Sequence, residues 1–224
     1  MCAKKRIALY GGTFDPVHSG HLEIARGVLQ LFEIEQVVFI PAQMAPHKIR
    51  RPVTLPIHRF AMLALATQND SQLMISTYEL DAPDRCYTVD TIEHFQRELD
   101  DSTELFFIMG ADSWSEITTW REWERLLTMT NHIVVTRPGY KLETSHVGSL
   151  TERIVDLRNS SEGRTANGIF ITDVVMNDVS ATNIRRLASE GRTDELANLL
   201  PGPVLEYIRK YRIYRNSNEG KLNS

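Results

Sequence analysis

Five short runs, Arg6 to Tyr10, Gln36 to Ile40, Leu105 to Met109, His132 to Thr136 and Ile169 to Thr172, are rich in β-branched and aromatic residues and apolar on both alternating faces. A strand of that kind is stable only inside a sheet covered on both sides. Between the runs lie longer segments of helical period. Leu22, Ala25, Val28, Leu29 and Phe32 form one apolar stripe while Glu23, Arg26 and Gln30 fall on other sides. Val89, Ile92, Phe95 and Leu99 repeat the pattern, and Phe60, Leu63, Ala64 and Thr67 do so less cleanly. Strands alternating with amphipathic helices predict an α/β fold with a parallel sheet flanked by helices.

Residues 139 to 168 break the alternation. They are rich in Gly, Ser, Thr and charge, hold one short amphipathic piece from Leu150 to Leu157, and read as a long insertion. After the last strand come three short helical candidates, Ala181 to Glu190, Thr193 to Leu199 and Val204 to Tyr211, separated by Gly191 and by Pro201, Gly202 and Pro203. The expectation is one domain over residues 1–214, with a small C-terminal helical lobe from about 180 and a frayed tail over 215–224.

Charge and cysteine usage narrow the partners. With 25 basic against 29 acidic residues and a formal charge of −4, the chain has no global positive field for nucleic acid or an anionic membrane. Its longest apolar stretches, Val37 to Ala42 and Leu105 to Ala111, fall well short of the roughly 18 residues that span a bilayer. Only Ile7 to Tyr10 precede Gly11 as an apolar run, against the about 7 to 15 residues of a secretory core. Cys2 and Cys86 supply neither a disulfide framework nor a CxxC pair, which fits a reducing compartment, so the expected location is cytoplasmic.

The chemistry concentrates where the first strand ends. Gly11, Gly12, Thr13, Phe14, Asp15, Pro16, Val17, His18, Ser19, Gly20 and His21 carry the chain into the first helix, at the sheet edge where open α/β folds bind ligands. Two glycines let backbone approach a phosphate, and a helix N-terminus favours an anion. His18 and His21, three apart at that start, can both point toward one anionic group. No Walker loop, GxGxxG fingerprint, HExxH or HxxEH occurs, so these two rings are not read as metal ligands.

Taken together, the run from Gly11 to His21 resembles the nucleotidylyltransferase superfamily marked by its HxGH motif and, within it, the bacterial nicotinate-nucleotide adenylyltransferases. Pro46, His47 and Lys48 resemble that family's ProHisLys loop, Tyr87 to Thr91 its TyrThrxAspThr segment, and Gly110 to Asp112 its GlyAlaAsp turn. Trp120 resembles its ring-stacking tryptophan and Arg137 to Gly139 its ArgProGly turn. Ser180 to Arg185 resembles its SerSerThrxIleArg motif, with Ala181 in place of the second serine. The resemblance runs from Ile7 to about Tyr214. It implies a Rossmann-like fold and the joining of ATP to nicotinate mononucleotide, with Mg²⁺, to give nicotinate adenine dinucleotide and pyrophosphate.

The resemblance also implies roles. His18 and His21 stabilise the α-phosphate and leaving oxygens; neighbouring anions are expected to raise their pKa and favour the protonated donors. ATP is held by Gly11, Gly12, Thr13, Phe14, His18, His21, Asp112, Ser180, Thr182 and Arg185; the mononucleotide by Lys48, Thr88, Trp120 and Arg121. A phosphate monoester is already mostly a dianion at neutral pH, so no carboxylate base is required. Several residues have a plainer reading. Ser180 and Asp112 suit helix caps. Charge alone does not choose Lys48 over Arg50 and Arg51. Trp114 and Trp123 fit apolar stripes, leaving Trp120 as the ring for a ligand. Rival readings are a pantetheine-phosphate or cytidylyl member of the superfamily, a nucleotide-binding regulator without turnover, and an unrelated flavodoxin-like interaction module.

Overall fold

The computed structural model describes residues 4–43, 53–84, 86–137, 139–158, 167–174 and 179–215. The first strand, β1 (Arg6–Gly12), leads into α1 (Ser19–Leu31) and β2 (Gln36–Pro41). Then follow α2 (Pro56–Thr67), β3 (Leu73–Ile75), the single turn α3 (Tyr78–Asp81), α4 (Thr88–Glu98) and β4 (Glu104–Gly110). After β4 come α5 (Ala111–Ser115), a 3-10 turn at Ile117–Thr119, α6 (Trp123–Met129) and β5 (Asn131–Val135). A kinked 3-10 segment at Ser145–Arg153 precedes β6 (Ile154–Asp156) and β7 (Ile169–Thr172). The chain closes with α7 (Ala181–Ser189), α8 (Thr193–Leu196) and α9 (Gly202–Tyr211).

The described strands form a seven-stranded sheet in the order β3-β2-β1-β4-β5-β7-β6, and every pairing is parallel. Alternation along each strand sorts side chains onto two cores. Ala8, Tyr10, Phe39, Phe106, Ile133 and Phe170 face α1, α2 and the C-terminal helices. Ile7, Leu9, Ile40, Phe107, Val134 and Ile171 face α4, α5 and α6. Burying each large apolar side chain contributes roughly 1.5–3 kcal/mol, which is why the strand centres are apolar on both faces.

Strand order reverses between β1 and β4. The loops leaving these neighbours diverge to opposite faces and open a crevice at their C-terminal ends.

The expected strands and main helices are present, with three differences. Leu150 to Leu157, read as one amphipathic piece, is divided: it ends the 3-10 segment and supplies β6, which pairs with β7 at the sheet edge. The insertion therefore contributes to the sheet, because Ile154 and Val155 gain ladder bonds that local periodicity does not register. The same holds for β3, a three-residue edge strand on β2. The middle C-terminal helix stops at Leu196, three residues early. The lobe packs Ile184, Leu187, Leu196, Val204, Leu205 and Ile208 into the same core as α1 and α2.

Candidate active site

The crevice is one open cavity of about 810 Å³. Its floor is the run Gly11 to His21. A Cβ at Gly12 would lie 2.8 Å from the Phe14 ring, and one at Gly11 would lie 3.0 Å from Phe107. Aromatic rings thus close on the backbone at both glycines, more tightly at Gly12. Phe14 adopts φ +48°, a left-handed conformation that costs a side-chain-bearing residue energy. Edge-on contacts with Tyr10, His21 and Phe39 at 5.0–5.5 Å hold it there.

His18 is the N-cap of α1, and its ring stacks on that of His21 with centroids 3.7 Å apart. His21 Nδ1 accepts the His18 backbone N–H at 3.2 Å. An imidazole nitrogen that accepts carries no proton, so the His21 proton sits on Nε2. His18 is buried, and burial lowers its pKa to about 4. In the ligand-free chain desolvation thus holds His18 neutral; the raised pKa expected beside anions concerns the loaded site. Gly20 has a steric reason to be glycine, since a Cβ there would stand 3.2 Å from His18 Nδ1. The helix terminus offers fewer donors than the sequence suggests, because Ser19 N–H goes to the Leu199 carbonyl and His21 N–H to that of His18.

One wall of the cavity is the start of α4 with the loop before α6. Tyr87 caps α4 and Asp90 accepts the Tyr87 N–H at 3.3 Å, with Thr88 as the first helical residue. The Arg121 guanidinium lies 4.8 Å from the Tyr87 ring centroid. Thr88, Trp120 and Arg121 are thereby gathered on one side of the cavity. The indole N–H of Trp120 is buried without a hydrogen-bond partner among the described residues. Trp114 is fully buried, in keeping with its apolar stripe.

The opposite wall is α7. Ser180 is its N-cap residue, yet its side chain makes no cap hydrogen bond, so plain capping does not account for the hydroxyl. Thr182 Oγ1 accepts from Arg185 Nη2 at 2.9 Å, and Arg185 Nη1 donates to the Asp15 carbonyl at 2.6 Å. Arg185 lines the cavity while bridging α7 to the histidine loop. Asp112 also lines the cavity, in the first turn of α5, where Gly110 and not Asp112 is the cap. Lys48, with Pro46, His47, Arg50 and Arg51, lies outside the described residues.

Four features were not visible in the sequence. Glu79 lines the cavity, accepts from Thr91 Oγ1 at 2.7 Å, and has its carboxyl pKa pushed up by burial. Tyr140 stands at the rim with 42% of its surface exposed. Arg59 is buried and donates to the carbonyls of Thr13, Thr54 and Gln43 at 2.8–3.2 Å, tying the floor to α2 and to the end of β2. Tyr214 reaches Asp15. None carries a local motif; an arginine on an apolar helix face, Arg59, is the one signal that was available.

Comparison with known proteins agrees with this geometry. The cytidylyltransferase-like family model matches residues 9–187. A Thermoanaerobacter protein (strain X514) named "Probable nicotinate-nucleotide adenylyltransferase" is 38% identical over 214 residues, covering 96% of each chain. One of the same name from Clostridium tetani is 32% identical over 94% of this chain and all of its own. In fold, the chain resembles a Plasmodium falciparum nicotinic acid mononucleotide adenylyltransferase complexed with NaAD, with a TM-score of 0.71 over 94% of this chain and 97% of that one at 19% identity. Two histidines stacked at the switch point, with walls from α4 and α7, and this full-length similarity together place the chain in the cytidylyltransferase-like family, among the nicotinate-nucleotide adenylyltransferases.

Proposed function

We propose that the cavity aligns ATP and nicotinate mononucleotide so that the mononucleotide phosphate displaces pyrophosphate from the α-phosphorus. The observation that carries this reading is the histidine pair at the mouth of α1, flanked by an aromatic wall at Trp120 and a hydroxyl-and-arginine wall at Ser180 to Arg185. The attacking oxygen belongs to a phosphate that is already mostly a dianion near neutral pH, so the residues need only align and shield. His21, with its proton fixed on Nε2, donates to the α-phosphate or leaving oxygen. His18 is neutral in the free chain, and the approach of an anion draws a proton onto its ring, adding positive charge as negative charge gathers.

Ser180 and Arg185 flank the triphosphate, while Thr182 steadies Arg185. Trp120 stacks the cationic pyridinium, worth about 0.5–2 kcal/mol. Backbone donors at Thr88 and Arg121 favour the acid over the amide, for which a donor would meet a donor. Mg²⁺ would arrive on ATP. There it would neutralise phosphate charge, and Asp112, which lines the cavity, is the carboxylate that would hold it through water.

Pyrophosphate release measured in parallel with nicotinate mononucleotide, nicotinamide mononucleotide and phosphopantetheine tests the reading. Turnover with the first, and at least a hundredfold less with the others, is expected. Pyrophosphate release that prefers phosphopantetheine, or ATP binding with no turnover for any acceptor, overturns it.

A further inference from the structure

Asp15 lies between the strained Phe14 and the capping His18, buried at 7% exposure, and the site as described gives its carboxylate no part in the reaction. Three separate parts of the chain converge on it. The Thr54 N–H donates to Oδ2 at 3.3 Å from just before α2, and Arg185 of α7 donates to its carbonyl at 2.6 Å. From 199 residues away, the Tyr214 hydroxyl donates to Oδ1 at 2.6 Å. Arg59 completes the arrangement by donating to the Thr13 carbonyl and, at 2.9 Å, to that of Thr54.

Apart from the Arg59–Thr54 bond, these contacts go to the histidine loop's carbonyls and its one carboxylate, leaving the rings at His18 and His21 to line the cavity. Tyr214 reaches its place only through a turn in which Arg212 and Tyr214 itself take left-handed φ values of +53° and +71°. A large side chain adopts that backbone at a cost, so the turn persists because something holds the ring.

We propose that Tyr214 is a positioning residue for the adenylyl transfer: by donating to Asp15 it fixes the loop from Gly12 to His18 in the shape that stacks the two histidines. Arg185 is anchored to the same residue, so the tyrosine sets the distance between the histidine pair and the α7 wall. Loops that carry catalytic groups need this support from behind, because misplacement by about 1 Å costs up to roughly 10²-fold in rate. The inference rests on the functional reading above for its kinetic part alone; its structural part concerns the imidazoles of the free protein.

Tyr214→Phe keeps the ring and removes only the donor. Its kcat with nicotinate mononucleotide is expected to fall about tenfold, with KM for both substrates within twofold of wild type. The ¹⁵N resonances of the His18 and His21 imidazoles are expected to shift in ligand-free protein. The matched control is Tyr207→Phe, which removes a 2.8 Å hydrogen bond to His58 between α9 and α2 without touching the loop. It is expected to lose comparable thermal stability while leaving kcat and both imidazoles unchanged. Unchanged imidazole resonances in Tyr214→Phe, or equal changes in Tyr207→Phe, overturn the proposal. Wild-type protein that turns over no acceptor sinks the functional reading instead, and the resonances, which need no substrate, still decide the role of Tyr214.

Discussion

At the scale of single residues, glycines separate activity from stability. Gly20 lies in the first turn of α1, where alanine is the better helix former by about 1 kcal/mol. Its added methyl would press on His18 Nδ1 at 3.2 Å and Cε1 at 3.4 Å. Gly20→Ala is therefore expected to hold or raise the melting temperature while cutting kcat about tenfold; a thermal melt beside a pyrophosphate assay reads both, and full activity would show that His18 tolerates the shift. His21→Ala removes the one proton the backbone has placed and is expected to cost on the order of 10²–10³ in turnover. A loss under threefold in a well-folded variant refutes its role. The histidines, Ser180 and Arg185 line one cavity; the histidine pair was suggested by its spacing, and Ser180 and Arg185 by the motif they resemble. Arg59, Asp15 and Tyr214 were not legible, since the bonds that tie them to the loop join positions 39 to 199 apart and leave no periodic trace.

Elements were legible where a run was long enough to show its period. β1, β2, β4, β5 and β7 are apolar on both faces, and α1 and α4 carry unbroken stripes. Three-residue β3 and β6 are edge strands whose pairing is decided by a neighbour, not by their own composition. The segment after β5 shows the same dependence. It is fastened to α5 by Trp114, whose indole N–H donates to the Glu143 carbonyl at 2.9 Å while His146 Nε2 meets the Trp114 carbonyl at 3.2 Å. Trp114→Phe removes the donor to the Glu143 carbonyl, a net hydrogen bond of about 0.5–1.5 kcal/mol. Amide hydrogen exchange over residues 140–147 is expected to quicken more than over β4 or β5; uniform quickening would mean that the tryptophan supports the core and not the segment. Because Tyr140 begins this segment at the cavity rim, the tether also shapes the entrance.

On the scale of the whole molecule, two histidines are held neutral by burial, His18 at a pKa of about 4 and His132, inside the sheet on β5, at about 3. In an unfolded chain both titrate near 6.5. Their depressed values contribute stability that is whole above pH 6.5 and drains away as pH falls toward 4 and 3, because only the unfolded chain takes up the protons. At pH 5, some 1.5 units below the unfolded value, each has cost about 2 kcal/mol. At about 2–4 °C per kcal/mol, melting should come roughly 10 °C lower at pH 5 than at pH 7.5. His132→Gln should flatten about half of that slope, and an unaltered slope would show that His132 ionises without unfolding. The global plan, a parallel sheet flanked by helices, was readable from alternation, whereas the reversal of strand order between β1 and β4 and the order of the outer strands depend on contacts that single segments do not announce.

The hydroxyl that braces the first loop belongs to a residue made almost two hundred positions later. A ribosome that stalls or terminates before codon 214 therefore releases a polypeptide bearing every histidine of the pair but lacking the brace that orients them. Such premature products are expected to compete poorly for nucleotide, so competence is conferred late in translation and incomplete copies stay silent.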